Sequence, residues 1–446
     1  MALVVAAAGL VGVVSAASPK AVIALVLGLA FVYTAWRSLA AGVAAFALVI
    51  FLEQVPAVGT PGLTFSKLGG AVLAAVWLLN QLDRSDDVPQ LWRERPTLAF
   101  AALALLVWSL ASSLWAASSA TAFSNTFRLA QGVLLVFIVF SAIREPRHLR
   151  WVAYAFIAGA VISAAVGLSG VTQSDRTDIE ASGRLTGGIG DPNQLAAALL
   201  PALGMVLFLL ALRHRRRIQL ALLGSGAICA IAIFATESRG GLVGLAVMLA
   251  GAMVFAGRAR AYVVVVSLAL SGLAALYFAL VAAPTALQRI TSFSAGGGSG
   301  RTDLWSVAIR MAENHPLVGV GVGNFTLVEN RYAFGTFDLP RFDLISNTPT
   351  VAHNMYLHVL AELGVIGLGL LVAMIVAAFA AAITGVHEFE RADEVEVEML
   401  GRGLVIGVVG LLAADTFLSA QYDKPLPFLL GTIAALPTVA AAHIRR

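Results

Sequence analysis

A histidine stands where a polar stretch of the chain meets a long apolar run. His353 is followed directly by Asn354, and Tyr356 comes three residues after it. Histidine titrates near neutral pH and is the side chain that most often serves as a general base. A histidine by itself is more often a hydrogen-bonded structural residue, yet its position at the mouth of a helix makes His353 a candidate base. His358 and Glu362 follow with i, i+4 spacing and share a helix face, without an assigned role.

Several arginines lie beside glycine-rich turns. Arg184 precedes the Gly- and Pro-containing residues 187–194, and Arg301 follows a run of glycines. Arg239 lies in residues 236–241, which join two apolar runs with almost no polar spacer. The planar donor fork of a guanidinium matches phosphate oxygens, so these arginines are candidates for binding a phosphate. For Arg239 the alternative is an anchor at the membrane boundary.

Composition identifies the scaffold that must position these residues. Of the 446 residues, 59% are hydrophobic and 12% are charged, whereas soluble domains carry about 25% charged residues. Apolar runs of roughly 16–25 residues recur, and about 14 of them are candidate membrane spans. We predict an all-α, polytopic integral membrane protein with about 12–14 transmembrane helices, which forms a single domain over residues 1–446. The single cysteine, Cys229, leaves no possibility of an internal disulfide.

The distribution of basic residues predicts which helix ends face the cytoplasm. If the N-terminus is inside and the helices alternate, more than half of the 29 basic residues fall in inner connections, as the positive-inside rule requires. The densest inner cluster is residues 213–217. Arg128, Arg184, Arg239 and Arg301 fall on the other side, where topology does not favour arginine. We therefore expect an anion-binding function on the outer face.

Residues 283–354 form one large polar segment on that outer side, here called the interlude. Apolar residues at helical spacing predict an amphipathic helix over residues 303–314, and Trp305 suits a helix that lies along the membrane. Glycines within residues 319–323 predict a close-packed connection. Long loops in compact domains are usually functional or disordered, and this one has too many apolar residues for disorder. We expect it to cover a membrane-embedded substrate.

The start of the apolar run near Asn193 is a further candidate anion site. The free N–H groups and the positive dipole end of a helix favour an anion there. Asp191 or Asn193 is more simply interpreted as the helix N-cap.

Together these segments resemble the O-antigen ligase and O-antigen polymerase superfamily. The resemblance rests on residues 187–194, 238–240, 300–305, 314–325 and 353–356. It implies a metal-independent glycosyltransferase with a GT-C-like fold and no cofactor, in the bacterial plasma (inner) membrane, with its active site on the periplasmic or outer face. The implied donor is a glycan on undecaprenyl diphosphate. The acceptor hydroxyl belongs to a lipid A–core sugar in a ligase, or to another lipid-linked glycan in a polymerase.

The resemblance also implies roles for individual residues. His353 is the implied catalytic base. The implied diphosphate-binding residues are Arg184, Arg239, Arg301 and, as a further candidate, Arg128. The implied supporting residues are Asn193, Asn354, Tyr356 and Asp303.

Other functions compete with this interpretation. We favour a ligase because of the single large outer loop, with a polymerase as the alternative. A secondary transporter is the strongest rival class, because Glu362, Arg402 and Asp415 are ionisable residues within apolar runs. A non-catalytic lipid-glycan binding protein is a third possibility.

Asp423 could assist at the outer face, although a cap or an ion pair is the simpler role. The expected partners are lipid-linked glycans and the bilayer, and no nucleic acid.

Overall fold

The apolar runs form helices along the described part of the chain. The computed structural model describes residues 19–53, 65–82, 90–170, 184–280, 301–333 and 350–444. Within these ranges ten helices are long and apolar enough to cross a membrane, and three shorter apolar helices join them. The prediction of a polytopic, all-α membrane protein is confirmed.

The helices include membrane-length rods and short pieces. In chain order they are α1 Pro19–Arg37, α2 Leu39–Val49, α3 Phe65–Leu82, α4 Leu91–Glu94, α5 Pro96–Ala111, α6 Ser119–Ala142, α7 Pro146–Leu168, α8 Pro192–Leu209, α9 Arg216–Ala235, α10 Arg239–Phe255, α11 Arg260–Leu280, α12 Arg301–Asn314, α13 Phe325–Ala333, α14 Met355–Arg391, α15 Val395–Ala414, α16 Pro425–Ala434 and α17 Leu436–Ile444. Short 3₁₀ turns adjoin some of them, at Ile50–Leu52, Ser112–Leu114, Gly257–Ala259 and Asp415–Phe417.

The centre of the bundle is the helix pair α8 and α15. Most side chains of both helices are buried. A Cβ atom added at Gly204 would lie 2.6 Å from the Gly403 carbonyl oxygen, and one at Gly407 would lie 2.5 Å from the Cα of Pro201. Small residues allow membrane helices to approach this closely and to gain dispersion contacts. This contact fixes the two helices on which the candidate site is mounted.

Contacts at the two ends of the bundle join connections that are distant in sequence. At one end Lys424 pairs with Glu53 and donates to Ser66 Oγ at 2.7 Å. At the other end Arg258 pairs with Asp393 at 2.9 Å. The predicted topology places Lys424, Glu53 and Ser66 on one side of the membrane and Arg258 and Asp393 on the other. The contacts therefore agree with the predicted alternation of the helices. Which of the two ends faces the cytoplasm stays a prediction.

Arg402, an arginine inside a membrane helix, is paired at the second end. Its side chain donates to Glu398 at 2.8 Å, to Glu390 at 2.9 Å and to the Phe255 carbonyl oxygen at 2.7 Å. A buried charge is tolerated when its donors are matched in this way. Arg402 thereby ties the end of α10 to α14 and α15, which gives it a structural role.

The described part of the interlude comprises residues 301–333 and 350–354, and the rest lies outside the described residues. The predicted amphipathic helix is confirmed as α12, although it begins at Arg301 rather than at residue 303. Its apolar face packs with α13 in a small core of its own. The buried residues of this face are Leu304, Val307, Ala308 and Met311.

Candidate active site

The turn before α8 is bonded to the next helical hairpin by an arginine. Arg184 Nε donates to the Thr236 carbonyl oxygen at 2.8 Å, and its Nη2 donates to Asn193 Oδ1 at 3.0 Å. Because Thr236 ends α9, Arg184 holds the start of α8 against the turn between α9 and α10. Arg184 is half-buried, and these bonds give it a structural task besides any contact with a ligand.

The N-terminus of α8 has a side-chain cap, which was the simpler of the two interpretations of Asp191 and Asn193. Asp191 Oδ1 accepts hydrogen bonds from the backbone N–H groups of Asn193 at 2.8 Å and Gln194 at 3.0 Å. The cap is therefore Asp191, whereas the Asn193 side chain binds Arg184. Arg184 thus stands beside the positive dipole end of α8, where an anion is favoured.

A second helix start, that of α10, lies against the last turn of α15. Ser238 caps α10, and Arg239 is its first residue. Gly240 packs so closely that an added Cβ would lie 2.9 Å from the Phe417 Cβ. Arg239 is half-buried and stands next to residues 412–417, here called the α15 end.

The N-terminal part of α12 reaches the α15 end through an aromatic contact. The ring centroids of Trp305 and Phe417 are 6.0 Å apart. Trp305 follows Arg301 by about one helical turn, so the contact holds the arginine-bearing start of α12 near the α15 end. Asp303 in the same turn is buried, with 3% exposure. The acid therefore faces the protein interior, while Arg301 is only half-buried.

The start of α14 meets the α15 end as well. Asn354 is the N-cap of α14 and accepts from the backbone N–H groups of Tyr356 and Leu357, both at 3.0 Å. The Tyr356 hydroxyl donates to the Leu412 carbonyl oxygen at 3.0 Å. These bonds fix the turn that carries His353.

Backbone strain occurs at one candidate residue, His353, and close to another, Arg239. His353 has a φ of +49°, in the left-handed region that side chains rarely adopt. Glu237, two residues before Arg239, has a φ of +50°. Only Asp393 shares this property among the described non-glycine residues. Such strain costs of order 1–3 kcal/mol and concentrates at functional sites, which makes both turns candidates for function.

The α15 end thus gathers the segments that carry four predicted site residues. They are Arg184, Arg239, Arg301 and His353, from turns that are remote in sequence. Arg128 has a different neighbour: it is exposed on α6, and its charge acts on the phenol of Tyr422. Burial and Glu362 raise the pKa of Tyr422 well above its usual value, and Arg128 opposes that shift.

The backbone that leads to His353 is held by a buried acid of α13. Glu329 has 0% exposure, and its Oε1 accepts from the Thr350 backbone N–H at 3.0 Å. Burial raises the pKa of Glu329 to about 7. Because Thr350 precedes His353 by three residues, the protonation state of Glu329 bears on this turn.

The buried pair of His358 and Glu362 was not assigned a function in the sequence analysis. His358 Nε2 lies 3.1 Å from Glu362 Oε1, and His358 Nδ1 lies 2.9 Å from Ser419 Oγ. Glu362 also accepts from the Phe325 backbone N–H at 3.1 Å. The i, i+4 spacing was the available signal for the pair. Its partners Ser419 and Phe325 are distant in sequence and could not be foreseen.

The glycine-rich connection after α12 docks on a break in α14. The helix is interrupted at Gly364, where φ is +67°. Gly321 N–H donates to the Glu362 carbonyl oxygen at 2.8 Å. The glycine-rich connection therefore supplies a hydrogen-bond donor to a carbonyl group beside the break in the helix. A Cβ at Gly319 would lie 2.2 Å from the Glu362 carbonyl carbon, and only glycine fits there. This contact fixes the first turns of α14 relative to α12.

Within the described ranges, no group of three or more His, Cys, Asp or Glu side chains has the arrangement of a metal site.

Comparison with known proteins identifies the central part of the chain. A family model described as O-antigen ligase matches residues 224–372. The resemblance to the O-antigen ligase superfamily is thereby confirmed. The matched residues include Arg239, Arg301 and His353, whereas Arg184 and Arg128 precede them. A search of curated proteins gives no match. The match over residues 224–372 and the apolar helices together indicate a multi-pass membrane protein of a glycosyltransferase type.

Proposed function

We propose that this protein is an O-antigen ligase, which transfers a glycan from undecaprenyl diphosphate to a hydroxyl of lipid A–core. In this proposal it acts at the periplasmic face of the bacterial inner membrane. The observation that carries the proposal is the meeting of the Arg184 turn and the arginine-bearing starts of α10 and α12 with the His353 turn at the α15 end. The O-antigen ligase match over residues 224–372 supports the same class of enzyme.

The proposed reaction is a substitution at the anomeric carbon of the donor sugar. The acceptor oxygen forms a bond to that carbon, and the bond from the carbon to the diphosphate oxygen breaks. His353 takes the proton of the acceptor hydroxyl. Undecaprenyl diphosphate leaves with additional negative charge, which Arg184, Arg239 and Arg301 stabilise electrostatically. Fixed guanidinium groups suit this task because their donor geometry matches two phosphate oxygens.

The geometry of the His353 turn supports its role as the base. Its backbone is held on one side by the Asn354 cap and on the other by the bond from Thr350 to Glu329. A catalytic side chain on a backbone that is already held in place needs less ordering when an acceptor binds. Its half-buried position also leaves access for an acceptor hydroxyl.

Exposed apolar residues on the interlude support a position against the bilayer. Ile309, Leu317 and Leu327 are 45%, 60% and 54% exposed. Large exposed apolar side chains on short amphipathic helices are typical of segments that lie in the membrane interface. A lid in this position would cover a substrate whose lipid tail stays in the bilayer.

The test is a transfer assay with the purified full-length protein in lipid nanodiscs. An undecaprenyl-diphosphate-linked glycan is supplied with and without a lipid A–core acceptor, and products are separated by size. A ligase attaches the glycan to lipid A–core and forms no longer lipid-linked chains in its absence. Elongation without lipid A–core would instead identify a polymerase. Absence of any transfer with both substrates would refute the proposal.

A further inference from the structure

A polar cavity lies beside the arginine-bearing segments. Its volume is about 190 Å³, and it opens between the start of α8, the α15 end and the start of α16. Its polar lining residues are Glu53, Gln194, Asp415, Tyr422, Asp423 and Lys424. Apolar side chains such as Ile189 and Leu411 complete the wall. Ligand sites commonly combine an apolar wall with a few convergent polar groups in this way.

Asp415 indicates that the cavity is built for a ligand. Its side chain is buried, with 1% exposure, and neither carboxyl oxygen has a hydrogen-bond partner in the described part of the protein. Burying a carboxyl group without a partner is costly, and native proteins generally satisfy such groups. Since Asp415 lines the cavity, the missing donors are expected from a molecule that binds there.

Asp423 supplies a second carboxyl group to the same cavity. Burial, reinforced by the charges of Asp191 and Glu53, raises its pKa to about 7. At neutral pH this carboxyl group is therefore present in both protonation states. It can accept a hydrogen bond in one state and also donate one in the other.

The lining disfavours two kinds of ligand. A phosphate is disfavoured because carboxyl groups dominate, and the lysine of the cavity, Lys424, is paired with Glu53. A multivalent metal is disfavoured because the described residues contain no metal-binding group of three or more ligands. A neutral molecule with several hydroxyl groups fits better, since each hydroxyl can donate to a carboxyl oxygen.

We infer that this cavity binds a sugar ring of a glycan substrate through Asp415 and Asp423. The inference rests on the proposed function for its substrate class. Gln194 lines the cavity, and the neighbouring Asn193 is bonded to Arg184. The sugar site thus adjoins the proposed diphosphate site across the first turn of α8. The donor glycan and the acceptor both contain sugar hydroxyl groups. Separate measurements of KM for each substrate show which of the two occupies the cavity.

The kinetic test compares Asp415→Asn and Asp423→Asn with the wild-type protein. We expect each variant to raise KM at least tenfold for the substrate whose sugar occupies the cavity, donor or acceptor. Binding of undecaprenyl diphosphate without a glycan should stay unchanged. Asp393→Asn, at the opposite end of the bundle, is the matched control and should retain both KM values. Wild-type KM values for both substrates in both variants would overturn the inference.

A binding test keeps the inference separate from catalysis. Saturation-transfer NMR with methyl glucoside and methyl galactoside should give signals with the wild-type protein and Asp393→Asn, but not with the two cavity variants. If the wild-type protein binds these sugars and transfers no glycan, the proposed function fails while the cavity assignment stands. If Asp415→Asn does not fold, Asp423→Asn and Gln194→Ala carry the test. Thermal stabilisation by sodium chloride, without any sugar signal, would overturn the inference in favour of a cation site.

Discussion

At the scale of single residues, His353 carries the proposed proton transfer. The variant His353→Ala removes the base and leaves the arginines in place. We expect the transfer rate to fall by about 10²-fold or more, with donor affinity within about twofold of wild type, in single-turnover and donor-binding measurements. The control is His315→Ala, because His315 is an exposed histidine of the interlude that bonds Tyr332 at 3.0 Å. Wild-type transfer by His353→Ala would disprove the base assignment.

Arg184 has a structural task and a proposed ligand task, and two substitutions separate them. Arg184→Ala removes the bonds to Thr236 and Asn193. We expect a loss of about 2 kcal/mol in the free energy of unfolding, from hydrogen bonds made by a charged group, together with weaker donor binding. Arg184→Lys keeps the charge but not the planar fork, so donor affinity should recover only in part. Arg331→Ala, at an exposed arginine of α13, should change neither unfolding nor donor binding. Full donor affinity in Arg184→Ala would remove Arg184 from the diphosphate site.

Glu329 predicts a pH dependence of stability. Its pKa is raised from 4.5 to about 7 in the folded protein. As pH rises above 4.5, the unfolded chain loses this proton first, so the free energy of unfolding falls until the pH passes about 7. Glu329→Gln removes this contribution, and its melting temperature should fall less than that of wild type between about pH 5 and pH 8. Glu313→Gln, at an exposed position of α12, should match wild type. Identical profiles for Glu329→Gln and wild type would contradict the prediction.

At the scale of elements, the break in α14 is what couples this helix to the interlude. A Cβ at Gly364 would lie 2.2 Å from the Leu317 carbonyl oxygen, and its φ of +67° is unfavourable for alanine. Gly364→Ala should therefore lower the free energy of unfolding by about 2 kcal/mol or more, and the displaced start of α14 should reduce transfer. Gly369 lies on the same helix with nothing within 4 Å of an added Cβ, so Gly369→Ala should be neutral or slightly stabilising. Equal melting temperatures for the two variants would show that the break is not required.

Elements that follow from local pattern could be predicted from the sequence. Helical periodicity identified α12, and turn chemistry left Asp191 and Asn193 as candidate caps of α8, of which Asp191 is the cap. What could not be predicted is the role of the α15 end, because it depends on contacts between segments remote in the chain. Phe417 gives no sequence signal, yet it contacts both Gly240 and Trp305. The arginines could be selected from their residue type and their predicted position on the outer face. That their segments meet at the α15 end follows only from the packing of the helices.

At the scale of the whole molecule, the proposed function requires the α15 end to face the outside of the cell. Two alanines test this without any change of charge. Ala120 is exposed in the first turn of α6, and the adjoining Ser118 N–H donates to Asn324 of the interlude at 2.7 Å. Ala392 is exposed at the opposite end, next to Asp393, which pairs with Arg258.

The native thiol of Cys229 has 0% exposure, so Ala120→Cys and Ala392→Cys can be labelled against a low background. A membrane-impermeant thiol reagent added to intact spheroplasts should label Ala120→Cys alone, and permeabilisation should expose Ala392→Cys. This follows because an excess of arginine retains connections on the cytoplasmic side. The reverse pattern would place the arginines and His353 on the cytoplasmic side, where they could not serve periplasmic transfer. Labelling of both variants from one side would contradict the alternation of the helices itself.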